Sequence, residues 1–257
     1  MKPAQFEYHA PTTTEEAVAL LKQYGGDAKI LAGGQSLVPL MNFRLSRPAA
    51  LIDINRIGAL AYIKEEKGQL RFGAMTRQRT IEHSDLVRSR IPLMTEATEL
   101  VGHLPIRTRG TIGGSVAHAD PAAEYPAVVS ALEGELVVRG PGGERVVRPA
   151  EFFVTYLTTS LAPDEILTEV RLPIPPRGSG WAFEEFSRRH GDFALAGIAA
   201  LLVREGGQCK KARLATCGAG PTPIRLRAAE EILEGGGLDE QTFQRAGARA
   251  GAHRLRP

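Results

Sequence analysis

Between residues 173 and 180 the chain places Pro173, Pro175, Pro176, Gly178 and Gly180. Proline fixes φ and has no N–H to donate, so neither a helix nor an inner strand passes through such a run. The segment therefore divides the 257 residues into 1–176 and 177–257. Either part is long enough to bury a core of its own.

The first part carries two short glycine segments of matching character. One is Ala32-Gly33-Gly34-Gln35-Ser36-Leu37 and the other is Thr111-Ile112-Gly113-Gly114-Ser115. Neither contains a charged side chain. Glycine reaches positive φ and lets a ligand come close to the main chain. Consecutive amides in such turns converge into an anion-binding nest, and serine hydroxyls add donors. Taken singly, each segment reads as a tight turn after a strand. Taken together they suit a ligand with two phosphates. Neither matches G-x-G-x-x-G or the G-x-x-x-x-G-K-[ST] loop.

Around these segments the pattern is mixed. Thr12 or Thr13 with a glutamate three residues on forms a capping box ahead of Ala17, Val18, Leu20 and Leu21, and Gly25-Gly26 ends that helix. Runs at 28–31 and 51–54 read as strands, so residues 1–57 predict a small parallel sheet with a helix. Residues 58–176 predict a larger mixed or antiparallel sheet. Strands at 135–138 and 145–148 flank Pro141-Gly142-Gly143, and helices cover Pro92 to Val101 and Glu124 to Leu132. After the breaker run, Trp181–Ser187, Phe193–Val203 and Lys211–Cys217 predict a three-stranded antiparallel sheet followed by two helices. The fold class is α+β.

Composition removes several function classes. A net charge of +3 with no basic, aromatic stripe gives no reason to expect a nucleic-acid partner. The longest apolar stretch, Ala194 to Val203, is half the length of a membrane span. The N-terminal residues lack the apolar core of a secretory signal, so the expected location is cytoplasmic. Two cysteines, Cys209 and Cys217, fall short of the four thiolates an iron–sulfur cluster commonly takes. His118-Ala119-Asp120 resembles a metal pair, but no third ligand stands at a familiar spacing, and no metal site is expected. Glu124 suits the first turn of a helix and equally suits a sugar hydroxyl. Phe193, after the charged run Arg188 to Asp192, reads as a core residue.

These residues together resemble a known family. Ala32 to Leu37, Arg109 to Ser115, the continuation Ala117-His118-Ala119-Asp120-Pro121-Ala122-Ala123-Glu124, and Gly191-Asp192-Phe193-Ala194 are similar to motifs of the FAD-binding medium subunit of molybdenum hydroxylases. Carbon monoxide dehydrogenase and the flavin domain of xanthine dehydrogenase belong to that family. The similarity covers roughly residues 1–245, and Ala246 to Pro257 departs from the family's helix and tail. The resemblance implies a two-part FAD-binding domain of the vanillyl-alcohol-oxidase type over 1–176, then a smaller flavoprotein domain over 177–257. It implies that residues 32–37 and 111–115 hold the FAD diphosphate through main-chain amides. Glu124 would bind a cofactor hydroxyl. Phe193 would stack near the flavin where some relatives place a tyrosine. No side chain of this chain would be catalytic. Partner chains would carry the [2Fe–2S] clusters and molybdopterin, in a heterohexamer of two heterotrimers, and electrons would leave through the flavin to NAD or another acceptor. The alternatives are a self-sufficient FAD oxidase and a non-catalytic nucleotide-binding scaffold.

Overall fold

The computed structural model describes residues 2–252. The chain opens with strand β1 (Glu7–His9), helix α1 (Thr14–Tyr24), strand β2 (Ala28–Leu31), helix α2 (Leu37–Asn42) and strand β3 (Ala50–Asp53). The expected capping box starts α1. Glu16 N donates to Thr13 Oγ1 at 3.2 Å, and Thr13 N donates back to Glu16 Oε2 at 3.3 Å. Ala17, Val18 and Leu21 form the buried stripe of that helix. The three strands pair in parallel in the order β1-β3-β2. Helix α1 lies on them, with Ala28, Ala50, Ile52 and Ile54 in the shared core.

Residues 63–173 build a second layer. Strands β4 (Ile63–Glu66) and β5 (Gln69–Gly73) form a hairpin. Helices follow: α3 (Gln78–Glu82), α4 (Asp85–Arg90), α5 (Pro92–Leu100), α6 (Leu104–Arg109), α7 (Ile112–His118) and α8 (Glu124–Ala131). Then come β6 (Glu135–Gly140), β7 (Gly143–Val147), α9 (Pro149–Phe152), β8 (Phe153–Thr155), β9 (Thr158–Thr159) and β10 (Ile166–Pro173). The five-stranded antiparallel sheet has the order β4-β5-β10-β6-β7, with β10 at its centre. Helix α8 is buried along its whole length, as its almost uniformly apolar sequence requires.

The remaining elements are β11 (Gly180–Phe186), β12 (Ala196–Glu205), β13 (Gln208–Cys217), β14 (Ile224–Arg225), α10 (Arg227–Leu233) and α11 (Glu240–Gly251). The expected three strands are present, and a fourth, β14, extends the sheet. Two residues are too short for any periodicity to mark, so sequence reading passes over it. Part of the departure expected over 246–257 lies outside the described residues. Up to Gly251 the chain continues α11.

The sheet β11–β14 packs on the helices of the middle layer. Phe183, Ala194, Ala199, Leu201, Ala215 and Cys217 belong to the same apolar core as Leu70, Tyr125 and Val170. Polar contacts fix the docking. Trp181 Nε1 and Phe183 N both donate to the Glu96 carboxylate, at 2.9 and 3.2 Å, and Gly218 N donates to Pro121 O at 2.7 Å. Across the same seam Arg225 donates to Glu133 Oε1 at 3.2 Å, and Arg213 Nε lies 3.2 Å from the same oxygen. Burial opposes the charge of Glu133, but these cations outweigh it and hold the carboxyl at about 2. Among the described residues no helix is long and apolar enough to cross a membrane.

Candidate functional site

Strands β2 and β3 run in parallel, so their carboxyl ends share one edge of the small sheet. In open sheets of this kind ligands bind beyond those ends. The first glycine segment leaves β2 there, and Asp53 and Asn55 leave β3. Gly34 has φ of +73°, the left-handed conformation its position demands. Among the described residues, the main-chain N–H groups of Gly33, Gly34, Gln35 and Ser36 donate to no protein acceptor. Gln35 Nε2 instead closes back onto Gly33 O at 3.1 Å.

The second segment meets the first directly. A Cβ built on Gly33 would lie 2.5 Å from Arg109 O and 2.8 Å from Gly110 Cα. One built on Gly114 would reach Ala32 Cβ at 3.6 Å. Two stretches separated by nearly eighty residues are therefore in backbone contact, and only glycine at 33 permits it.

The second segment itself is not a turn. Thr111 is the N-cap of α7, its Oγ1 accepting from Gly114 N at 3.1 Å, and 112–115 are the helix's first turn. The amides assigned to phosphate by sequence are already engaged. Ile112 N donates to Thr76 O at 3.1 Å, Gly113 N to Ala74 O at 2.9 Å and Ser115 N to Thr111 O at 3.1 Å. Gly113 is glycine because a Cβ there would lie 2.4 Å from Ala74 Cβ. Close packing, and not positive φ, explains this glycine pair. The free amide donors thus sit in the first segment, with the second forming a wall against it.

A cavity of about 400 Å³ opens at this edge. Leu31, Ala32, Gly33, Gly34 and Gln35 line it, with Val38 and Pro39 from α2, then Asp53, Asn55 and Arg109. Of the last three, Arg109 opens the second motif but was given no role by sequence, and Asp53 and Asn55 were not singled out. Their signal was available as polar residues just past a parallel strand and a cation next to a glycine pair. Arg109 is exposed and has no carboxylate within 4.0 Å among the described residues. Tyr8 donates to Asp53 Oδ2 at 2.6 Å, and Asn55 donates to Asp53 Oδ1 from both N and Nδ2, at 2.9 and 2.5 Å. Burial works against the Asp53 carboxylate, but these donors more than offset it and hold its pKa below the usual range.

Ser36, Leu37, Thr111, Ile112, Gly113, Gly114 and Ser115 do not line the cavity, and neither do Glu124 and Phe193. Glu124 is the first residue of α8 and is buried. Burial pushes its carboxyl up to about 8, with further contributions from Glu185 and Asp120. Its surroundings include Cys217, whose thiol burial and the Glu124 charge push up to about 12. Phe193 is not a core residue. It is 72% exposed on the turn between β11 and β12, beside Gly191, which packs on the His103 ring. Burial holds the His118 pKa below its ordinary value against the pull of Asp120, which suits a neutral imidazole.

The residues present fit a dinucleotide diphosphate. Free backbone donors, a guanidinium without a carboxylate partner among the described residues and a small apolar wall meet in one cavity, and the glycine at 33 lets the main chain of Arg109 and Gly110 close one side of it.

Comparison with known proteins shows the family. Residues 4–175 match the family described as the FAD binding domain in molybdopterin dehydrogenase. Residues 181–255 match the CO dehydrogenase flavoprotein C-terminal domain, beyond the residue-245 limit of the motif resemblance. The chain is 48% identical to the caffeine dehydrogenase subunit beta of Pseudomonas sp. (strain CBB1), over 91% of this chain and 80% of that protein. It is 42% identical to the carbon monoxide dehydrogenase medium chain of Hydrogenophaga pseudoflava, over 96% and 86%. The solved carbon monoxide dehydrogenase from Hydrogenophaga pseudoflava, which lacks the Mo-pyranopterin moiety of its cofactor, superposes with a TM-score of 0.96 at 42% identity. That match covers 100% of this chain and 90% of the other. Quinoline 2-oxidoreductase from Pseudomonas putida 86 gives 0.93 at 35% identity, over 98% and 88%. The chain belongs to the FAD-binding medium-subunit family of the molybdenum hydroxylases and is an oxidoreductase component of that type.

Proposed function

We propose that this chain is the electron-output subunit of a molybdenum hydroxylase and holds FAD at the edge of its small parallel sheet. The observation that carries the reading is the contact of Gly33 with Arg109–Gly110 beside a cavity lined by main chain with unused donors. The N–H groups of Gly33 to Ser36 would receive the diphosphate. Arg109 would add the positive charge that neutral amides lack. Helix α7 would contribute its rigid first turn as a wall rather than its amides. Glu124 and Phe193 would meet the flavin end of the cofactor, away from this cavity. A protonated Glu124 can donate as well as accept a hydrogen bond.

When bound, FAD supplies the redox chemistry, taking electrons that reach it through iron–sulfur centres on a partner and passing them to NAD or another acceptor. The protein's share is to bind and orient. Relatives named as medium chains or subunits support assembly with other chains; in our reading these are an iron–sulfur chain and a molybdopterin chain, two heterotrimers forming a heterohexamer in the cytoplasm. We divide the chain into a flavin unit, 1–176, and a second unit, 177–257, whose sheet docks on α5 and α8.

The test is cofactor retention. Gly34→Asp places a carboxylate in the cradle at a φ of +73°. The purified variant is expected to be colourless while the parent chain binds FAD. Full flavin occupancy in Gly34→Asp would place the cofactor elsewhere.

A further inference from the structure

Arg77, just before α3, lies between the two glycine segments without belonging to either. One of its terminal nitrogens donates to Arg109 O, the carbonyl against which Gly33 packs. The other donates to Asn55 Oδ1 at 2.6 Å, and Asn55 Nδ2 donates to Ala32 O at 2.8 Å. Three side-chain bonds thus run from Ala32 through Asn55 and Arg77 to Arg109. They tie the start of the first glycine segment to the approach of the second. The backbone contact at Gly33 has no hydrogen bond of its own to hold it.

Two features set this apart from an ordinary surface arginine. The guanidinium is half-buried, and no carboxylate lies within 4.0 Å of it among the described residues. Burial and the neighbouring cation Arg109 work against its charge, and the Asp53 carboxylate, one residue beyond direct contact through Asn55, supports it only in part. Protein interiors rarely leave such a charge without a counter-charge, because desolvation is costly. A planar fork with diverging donors is also required to serve acceptors on two different segments, which a lysine ammonium does less well.

Resting on the assignment of the FAD diphosphate to this cavity, we propose that Arg77 is a positioning residue: with Asn55 it sets the spacing of the two glycine segments that the cofactor's diphosphate needs. Among the described residues no carboxylate pairs with its charge directly, and the bound anion adds to the partial support from Asp53. It touches main chain and Asn55, and acts on the cofactor through them.

The experiment measures the dissociation constant of FAD for the full chain by quenching of flavin fluorescence. The variants are Arg77→Lys, Arg77→Met, Asn55→Ala, the double Arg77→Met/Asn55→Ala, and Gly34→Asp, each checked for folding by circular dichroism. Arg77→Lys, Arg77→Met and Asn55→Ala are each expected to weaken FAD about tenfold or more. The double variant is expected to bind no more weakly than the weaker single variant, because both changes cut the same tie. A merely structural arginine would lower the urea midpoint and leave the affinity of the folded variant at the parent value. If Arg77→Met does not fold, Arg77→Lys and Asn55→Ala carry the comparison, with their double variant in its place. Parent-like affinity in these variants, with binding lost in Gly34→Asp, overturns the role of Arg77 and leaves the cavity assignment standing. Losses that multiply in the double variant also overturn it. Parent-like affinity in Gly34→Asp overturns the cavity assignment and the positioning role with it.

Discussion

Gly33 and Gly26 are both glycines in the N-terminal sheet unit, yet their neighbourhoods predict opposite outcomes. An alanine Cβ at 33 would fall 2.5 Å from a carbonyl oxygen and 2.8 Å from a Cα, both main chain and both unable to rotate away. At Gly26 nothing lies within 4 Å, and its φ is not positive. Gly33→Ala is expected to cost about 1–3 kcal/mol by overpacking and to abolish FAD binding by prising the segments apart. Gly26→Ala should be neutral in both respects. Urea unfolding and a flavin titration on the two variants check this. Residue-scale chemistry was only partly legible. The glycines stood out, because few residues substitute for them. Asn55 and Arg77 did not, because they bond to each other and to the carbonyls of Ala32 and Arg109, each more than twenty residues away, which no local spacing encodes.

Helix α7 shows where element-scale reading gives way to tertiary context. Two consecutive glycines lower helix propensity by about 1 kcal/mol each relative to alanine, so Thr111 to Ser115 reads as a turn. The helix forms because Thr111 caps it and because Ile112 and Gly113 bond to the chain at Thr76 and Ala74. Thr111→Val keeps the shape of the side chain and removes the acceptor, leaving Gly114 N–H unpaired. The expected cost is about 1 kcal/mol, read as a lower urea midpoint with unchanged slope. The α1 capping box and the hairpin at 135–147 were legible, since each rests on contacts close in sequence, and the strands expected at 28–31 and 51–54 showed as apolar runs between turn residues, the second running Ala50–Asp53.

At the scale of the whole molecule, the C-terminal sheet closes over the N-terminus of α8 and buries Glu124. An ordinary glutamate titrates at about 4.3, whereas this one is pushed up to about 8. Between those values the folded chain keeps a proton that the unfolded chain has released. Its contribution to stability is therefore complete at low pH and is lost as pH rises towards 8. The loss is at most roughly 5 kcal/mol from the size of the shift. Glu124→Gln cannot ionise. Its stability relative to the parent is expected to grow as pH rises from about 4.3 to about 8, measured by urea unfolding at each pH. A constant difference would mean that Glu124 is solvated. The three long strands beyond residue 180 were legible from apolar runs. The continuous core joining the two parts was not, because sequence pattern marks which faces are apolar and not which faces meet.

The account turns on which amides receive the cofactor, and backbone ¹⁵N–¹H spectra of the full chain with and without FAD address that directly. Large shifts are expected at Gly33, Gly34, Gln35 and Ser36, whose N–H groups have no protein acceptor, with smaller ones at Ile112, Gly113 and Ser115, whose bonds are already made. Shifts concentrated at 112–115, with residues 33–36 unmoved, would contradict it.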